Sequence, residues 1–216
     1  MSFIAASSAT RARSVPTIMG QVMFLVAAAL GLCALGSVLG RDLSFESARI
    51  FSFAGLGMLI AQSFVRALRV GALGIFWLAA VAAAIGYGLG PTLAFYATVN
   101  PAALTSALAL TALTVLAMGA AGFALSKDLA RWMRPLSFVV LGAVVVSILG
   151  LVFGGVGSLS PVISLVILVA SSALILVNFN YVRKHATEDD VIWLATGIFV
   201  SIVNIFISLL NLFGRN

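Results

Sequence analysis

Charge is what this sequence has least of. Only 8% of its 216 residues are charged, where a soluble domain carries about 25%. That is too little to cover a water-facing surface, and the implied solvent is a lipid bilayer. Histidine occurs once, as His185, which excludes an H-E-x-x-H metal site. His185 is also the sole candidate base for a serine protease, and no serine is obviously paired with it. The only lysines, Lys127 and Lys184, fall between apolar runs, so no retinal Schiff base sits in the last one. No carboxylate lies inside an apolar run, as a proton pump needs. The glycines occur within apolar runs and form no phosphate-binding loop. Cys33 stands alone in such a run and reads as a small packed hydrophobe. No enzyme, metal or cofactor is expected. The net charge of +6 has no soluble basic patch to sit on, which speaks against nucleic acid.

What the chain does have is 62% hydrophobic residues, gathered in seven runs. They are Thr17–Leu39, Ala48–Val65, Val70–Leu89, Ala102–Leu125, Leu136–Phe153, Val162–Val182 and Val191–Phe213. Each has about 18–24 residues, enough to cross the hydrocarbon layer. The expected fold is an all-α membrane protein, a single seven-transmembrane-helix domain over residues 17–216. Residues 1–16 are expected to form a flexible cytoplasmic tail. Pro101, Pro135 and Pro161 stand where helices should start, the position that tolerates a missing N–H. The first run is too long for a signal-peptide core of about 7–15 residues. Leu32 before Cys33 does not suit a lipoprotein site.

Orientation follows from the bases. Arg11, Arg13, Arg66, Arg69, Lys127, Arg131, Arg134, Arg183 and Lys184 fall on one side, and Arg41, Arg49 and Arg215 on the other. This places the N-terminus in the cytoplasm and the C-terminus outside. Gly36–Gly40, Gly86–Gly90 and Gly150–Gly154 are small-xxx-small pairs that let helices approach closely, first of all within the molecule.

The most polar stretch is NFNYVRKHATEDDVIWL, residues 178–194. Arg183 and Lys184 suit a helix C-terminus and Glu188, Asp189 and Asp190 the start of the next helix. Thr187 with Asp190 has the form of a capping box. His185 is expected to be solvated. Asn178 and Asn180 are about 200° apart around a helix, so only one is expected to point into the bundle. Asn204, with Ser201 before it and Ser208 after it, makes a polar stripe that should face inward. Its simplest use is hydrogen bonding between helices; the alternative is a polar lining for a closed or leaky pathway.

These residues carry a resemblance. SIVNIFISLLNLFGRN, GYGLGPTLAFY (a third-helix end with a Gly-Pro turn) and LSKDLARW occur in the order seen in the Bax inhibitor-1 family. The stretches around HATE and FVSIVNIFISLL look closest to its bacterial YccA-like branch. The resemblance implies a bundle with the last helix central, enclosed by the others. It implies one of two activities: a pH-regulated calcium leak, or binding to the membrane AAA protease FtsH that restrains its degradation of membrane proteins. The channel members use two buried aspartates, and alignment puts Asn180 and Ser201 at those positions, with Asn204 nearby. Neither carries charge near neutrality, so the calcium role is in doubt. The expectation is a non-enzymatic bacterial inner-membrane protein that binds other membrane proteins.

Overall fold

Among the described residues, 15–153 and 160–214 of a computed structural model, all regular structure is helical. Seven helices follow in order: α1 (Val15–Leu39), α2 (Phe45–Phe64), α3 (Gly71–Val99), α4 (Pro101–Ala124), α5 (Met133–Phe153), α6 (Ser160–Lys184) and α7 (Val191–Phe213). The expected tail lies outside the described residues except for Val15 and Pro16, which already belong to α1. The Gly150–Gly154 pair and Arg215 also reach outside them. Six of the seven helices are long and apolar enough to cross a membrane. The exception, α2, carries Glu46 and Arg49 near its start and several serines further on.

Proline opens α4 at Pro101, with Asn100 as its N-cap accepting from Ala103 N–H at 3.0 Å. Pro135 and Pro161 also lie in the first turns of their helices. Pro91 behaves otherwise. The expected Gly-Pro turn after Leu89 does not occur, and α3 runs through Pro91 for eight more residues to Val99. A mid-helix proline removes the bond to the carbonyl four residues back, here Tyr87. In a bilayer such a break is tolerated where a neighbouring helix comes close. That neighbour is the end of α1, where the Tyr87 carbonyl lies directly against Gly40.

The glycines set the closest contacts. A Cβ on Gly36 would fall 2.7 Å from the Ala83 carbonyl oxygen, and one on Gly86 would collide with the Cys33 carbonyl. Gly90 lies against the backbone of Gly40 and Arg41. The two expected pairs, Gly36–Gly40 and Gly86–Gly90, thus face each other between α1 and α3, packing within the molecule. Gly122 of α4 meets the Leu176 carbonyl of α6 in the same way. Gly71, at φ +64°, opens α3 in a conformation that costs other residues a Cβ clash.

One core joins α1, α3, α4, α5, α6 and α7, with Val22, Val81, Ala107, Ile175, Leu194 and Phe199 fully buried in it. α2 packs on α3 and α5 on α6, while α7 packs against α1, α3, α4 and α6. Of the six apolar helices α7 is the most buried, at 61% of its apolar stretch against 39% for α6. Exposed Phe24, Phe64, Phe76, Leu116 and Phe138 give the outer surface its apolar character.

Candidate functional site

The last carbonyls of a helix have no partner within it. α4 stops at Ala124, and its end is capped from α6. Asn180, fully buried, directs its amide nitrogen at the carbonyls of Gly122 (3.2 Å), Leu125 (3.1 Å) and Lys127 (3.1 Å). Its Oδ1 accepts the Leu129 N–H at 3.0 Å. Arg183 adds a bond to the Leu125 carbonyl at 2.6 Å, and Lys184 one to the Ser126 carbonyl. One face of the end of α6 therefore holds the whole segment between α4 and α5.

His185 is not simply solvated. Its Nε2 lies 2.7 Å from Asp128 Oδ2 on that same segment, in a half-exposed pair. Asp128 Oδ1 accepts the Ala130 N–H at 2.9 Å. That backbone bond, then the bond to His185, holds the Asp128 carboxyl below its ordinary value. The sequence gives no local signal for a pair 57 residues apart.

The three acids form a 3₁₀ turn, Glu188–Asp190, leading straight into α7. The capping box is present: Asp190 Oδ2 accepts from Thr187 N–H at 2.9 Å and from Thr187 Oγ at 2.7 Å. Asp189 pairs with Arg66 at 3.4 Å, both exposed. These contacts bring the α2–α3, α4–α5 and α6–α7 connections to one end of the bundle, with Arg66, Lys127, Arg131, Arg183 and Lys184 around it.

The structure does not bond Asn180, Ser201 and Asn204 into one cluster. Ser201, buried, donates to the Gly197 carbonyl at 2.8 Å. Asn204 is half-buried, with no hydrogen bond among the described residues. The expectation that only one of Asn178 and Asn180 is buried is overturned: they are 4% and 0% exposed. Both faces of α6 are covered, one by α7, where Asn178 meets Gly197, and the other by α4.

Sequence reasoning passed over Gln62. Buried on α2, it donates to the Leu68 carbonyl and to Thr196 Oγ1 on α7, each at 3.1 Å. The Gln62 backbone carbonyl accepts from Arg69 Nε at 2.6 Å. A glutamine inside an apolar run was the available signal, since lipid would not solvate it. Among the described residues no three His, Cys, Asp or Glu side chains gather as metal ligands do. The arrangement can hold backbone and present a fixed basic face.

Residues 15–216 match the sequence profile of the family described as "Inhibitor of apoptosis-promoting Bax1". An uncharacterized protein of Pseudomonas aeruginosa is 30% identical over 96% of this chain and 93% of its own length. An uncharacterized membrane protein of Streptococcus pyogenes serotype M1 is 30% identical over 74% of this chain and 70% of its own.

Proposed function

This chain belongs to the Bax inhibitor-1 family, and on that footing we propose that it is a non-enzymatic bacterial inner-membrane protein that binds and restrains an FtsH-type membrane protease. It crosses the bilayer seven times in this reading, N-terminus in the cytoplasm and C-terminus outside, with α7 enclosed by its neighbours. The 20 residues of α2 are long enough to make the seventh span, and the high burial of α7 supports its enclosed place.

The observation that carries the reading is how Asn180 is used. At the position aligned with one family aspartate stands a neutral amide whose hydrogen bonds go to the backbone of residues 122–129. At the other stands Ser201, bonded within its own helix. Neither gains or loses a proton near neutrality, and amide and hydroxyl oxygens offer a divalent cation little against its dehydration. A calcium leak therefore has weak footing. A fixed basic face on the cytoplasmic side suits docking of another membrane protein.

The test is crosslinking and co-purification from native membranes, paired with calcium flux in liposomes. We expect an AAA membrane protease among the partners and slower turnover of its membrane substrates when this protein is raised. Flux should stay near background and flat between about pH 6 and 8. A robust, steeply pH-dependent flux with no protease captured would overturn the reading.

A further inference from the structure

Polar side chains in a membrane helix usually bond to the carbonyl one turn back. Ser52, Thr111, Ser137, Ser172, Thr196 and Ser201 all do so here. Ser171 does not. It is 0% exposed, and its Oγ has no hydrogen-bond partner among the described residues. Asn178, 4% exposed, makes no side-chain hydrogen bond among them either, although its amide is less tightly sealed than Ser171 Oγ. The two lie seven residues apart, so they share one face of α6, and Ser164, 5% exposed, extends that face by another seven.

This face meets α7. A Cβ placed on Gly197 would come 3.7 Å from both polar atoms of the Asn178 amide, which is ordinary contact distance. The missing side chain thus leaves methyl-sized room beside the amide. From that register two antiparallel helices put Ser171 level with Asn204, since each lies seven residues from the Asn178–Gly197 contact. Ser201 and Ser208, both 2% exposed, lie on the same stripe of α7. Hydroxyls and amides from two helices therefore line one seam, and few of them are bonded to protein.

We propose that the α6/α7 seam binds a file of water molecules, anchored beside Gly197 by Asn178 and beside Asn204 by Ser171. A buried polar group without a partner costs about 1–3 kcal/mol, whereas a water with two or more polar partners satisfies it. The seam supplies those partners in pairs, Asn178 with Ser201 and Ser171 with Asn204. Asn180, on the opposite face of α6 and bonded to backbone, is outside the file. The seam is a hydrated strip inside an otherwise apolar bundle, and this holds whatever the partner protein is.

Water-edited solid-state NMR of the full chain in lipid bilayers tests this, since it reads how fast magnetisation passes from water to each residue. Asn178 and Ser171 should polarise at the rate of exposed residues such as His185, and Ile175, fully buried on the same helix, should lag far behind. Gly197→Ala should fill the room beside Asn178 and abolish its fast transfer. Ser171→Ala should slow transfer at Asn204, while Ser172→Ala should leave it unchanged. Asn178 and Ser171 polarising as slowly as Ile175 would overturn the proposal. So would a Gly197→Ala protein in which Asn178 keeps the wild-type rate of transfer.

Discussion

Asn180 Oδ1 accepts the backbone N–H of Leu129 at 3.0 Å, joining the end of α6 to a loop 51 residues earlier in the chain. The same side chain donates to three carbonyls at the frayed end of α4. Few other polar groups in the bundle serve so many partners.

Asn180→Ala should therefore destabilise strongly. It unpairs the buried Gly122 carbonyl, worth about 1–3 kcal/mol when left without a partner, and frees the part-buried backbone of Leu125, Lys127 and Leu129. Asn178→Ala breaks no hydrogen bond within the described protein and should cost less. Thermal unfolding in detergent compares them, and equal losses would show that Asn180 is not the staple described.

The acids at the head of α7 act on the helix. Changing Glu188, Asp189 and Asp190 together to Asn should lower stability by about 0.5–2 kcal/mol through the weakened cap. Asp190→Ala alone should reproduce the share that comes from the Thr187–Asp190 box. Asp189→Asn, which loses only an exposed pair with Arg66, should cost little. Specific calcium binding that disappears in the triple variant would contradict this assignment.

Acid should act partly through Asp128. Its carboxyl is held below the ordinary value by the Ala130 N–H and by His185, so the ionised form favours the fold. That contribution is whole above the unfolded value of about 4 and fades as pH falls through the lower folded value. The gap in melting temperature between wild type and Asp128→Asn should narrow as pH drops from about 5 to about 3. A gap that stays constant would refute the linkage.

Glycine positions should divide sharply. Gly86→Ala drives a methyl into the Cys33 carbonyl of α1, and overpacking of that kind costs about 1–3 kcal/mol. Gly57→Ala meets open space and should gain up to about 1 kcal/mol of helix propensity. Similar effects at the two sites would argue against the α1–α3 contact.

Seven spans with the N-terminus inside put the C-terminus outside. A C-terminal reporter active only in the cytoplasm should be silent, and a periplasmic one active. The reverse pattern would require an even number of crossings, with α2 the first helix to doubt.

Much of this was readable from the chain. Six of the seven run ends lie within two residues of the helix C-termini, because apolar length and flanking charge are local properties; Leu89 is the exception. The Gly36–Gly40 and Gly86–Gly90 pairs and the Thr187–Asp190 box were legible for the same reason. Pro91 was not, since a Gly-Pro pair signals a turn locally and only the approach of Gly40 lets the helix continue. Nor were the burial of both asparagines and the Asp128–His185 pair. Each depends on which helices flank α6, and periodicity along one segment carries no record of its neighbours.

The Asn180 staple also dates itself. Synthesis runs at about 5–20 residues per second, so the 51 residues between Leu129 and Asn180 take roughly 3–10 s to follow. Until α6 has emerged and inserted, the end of α4 must keep its carbonyls on water, and the loop to α5 has no fixed course. The basic face thus sets late, and a chain arrested before α6 displays the bases of that loop without the shape that would make them a docking surface.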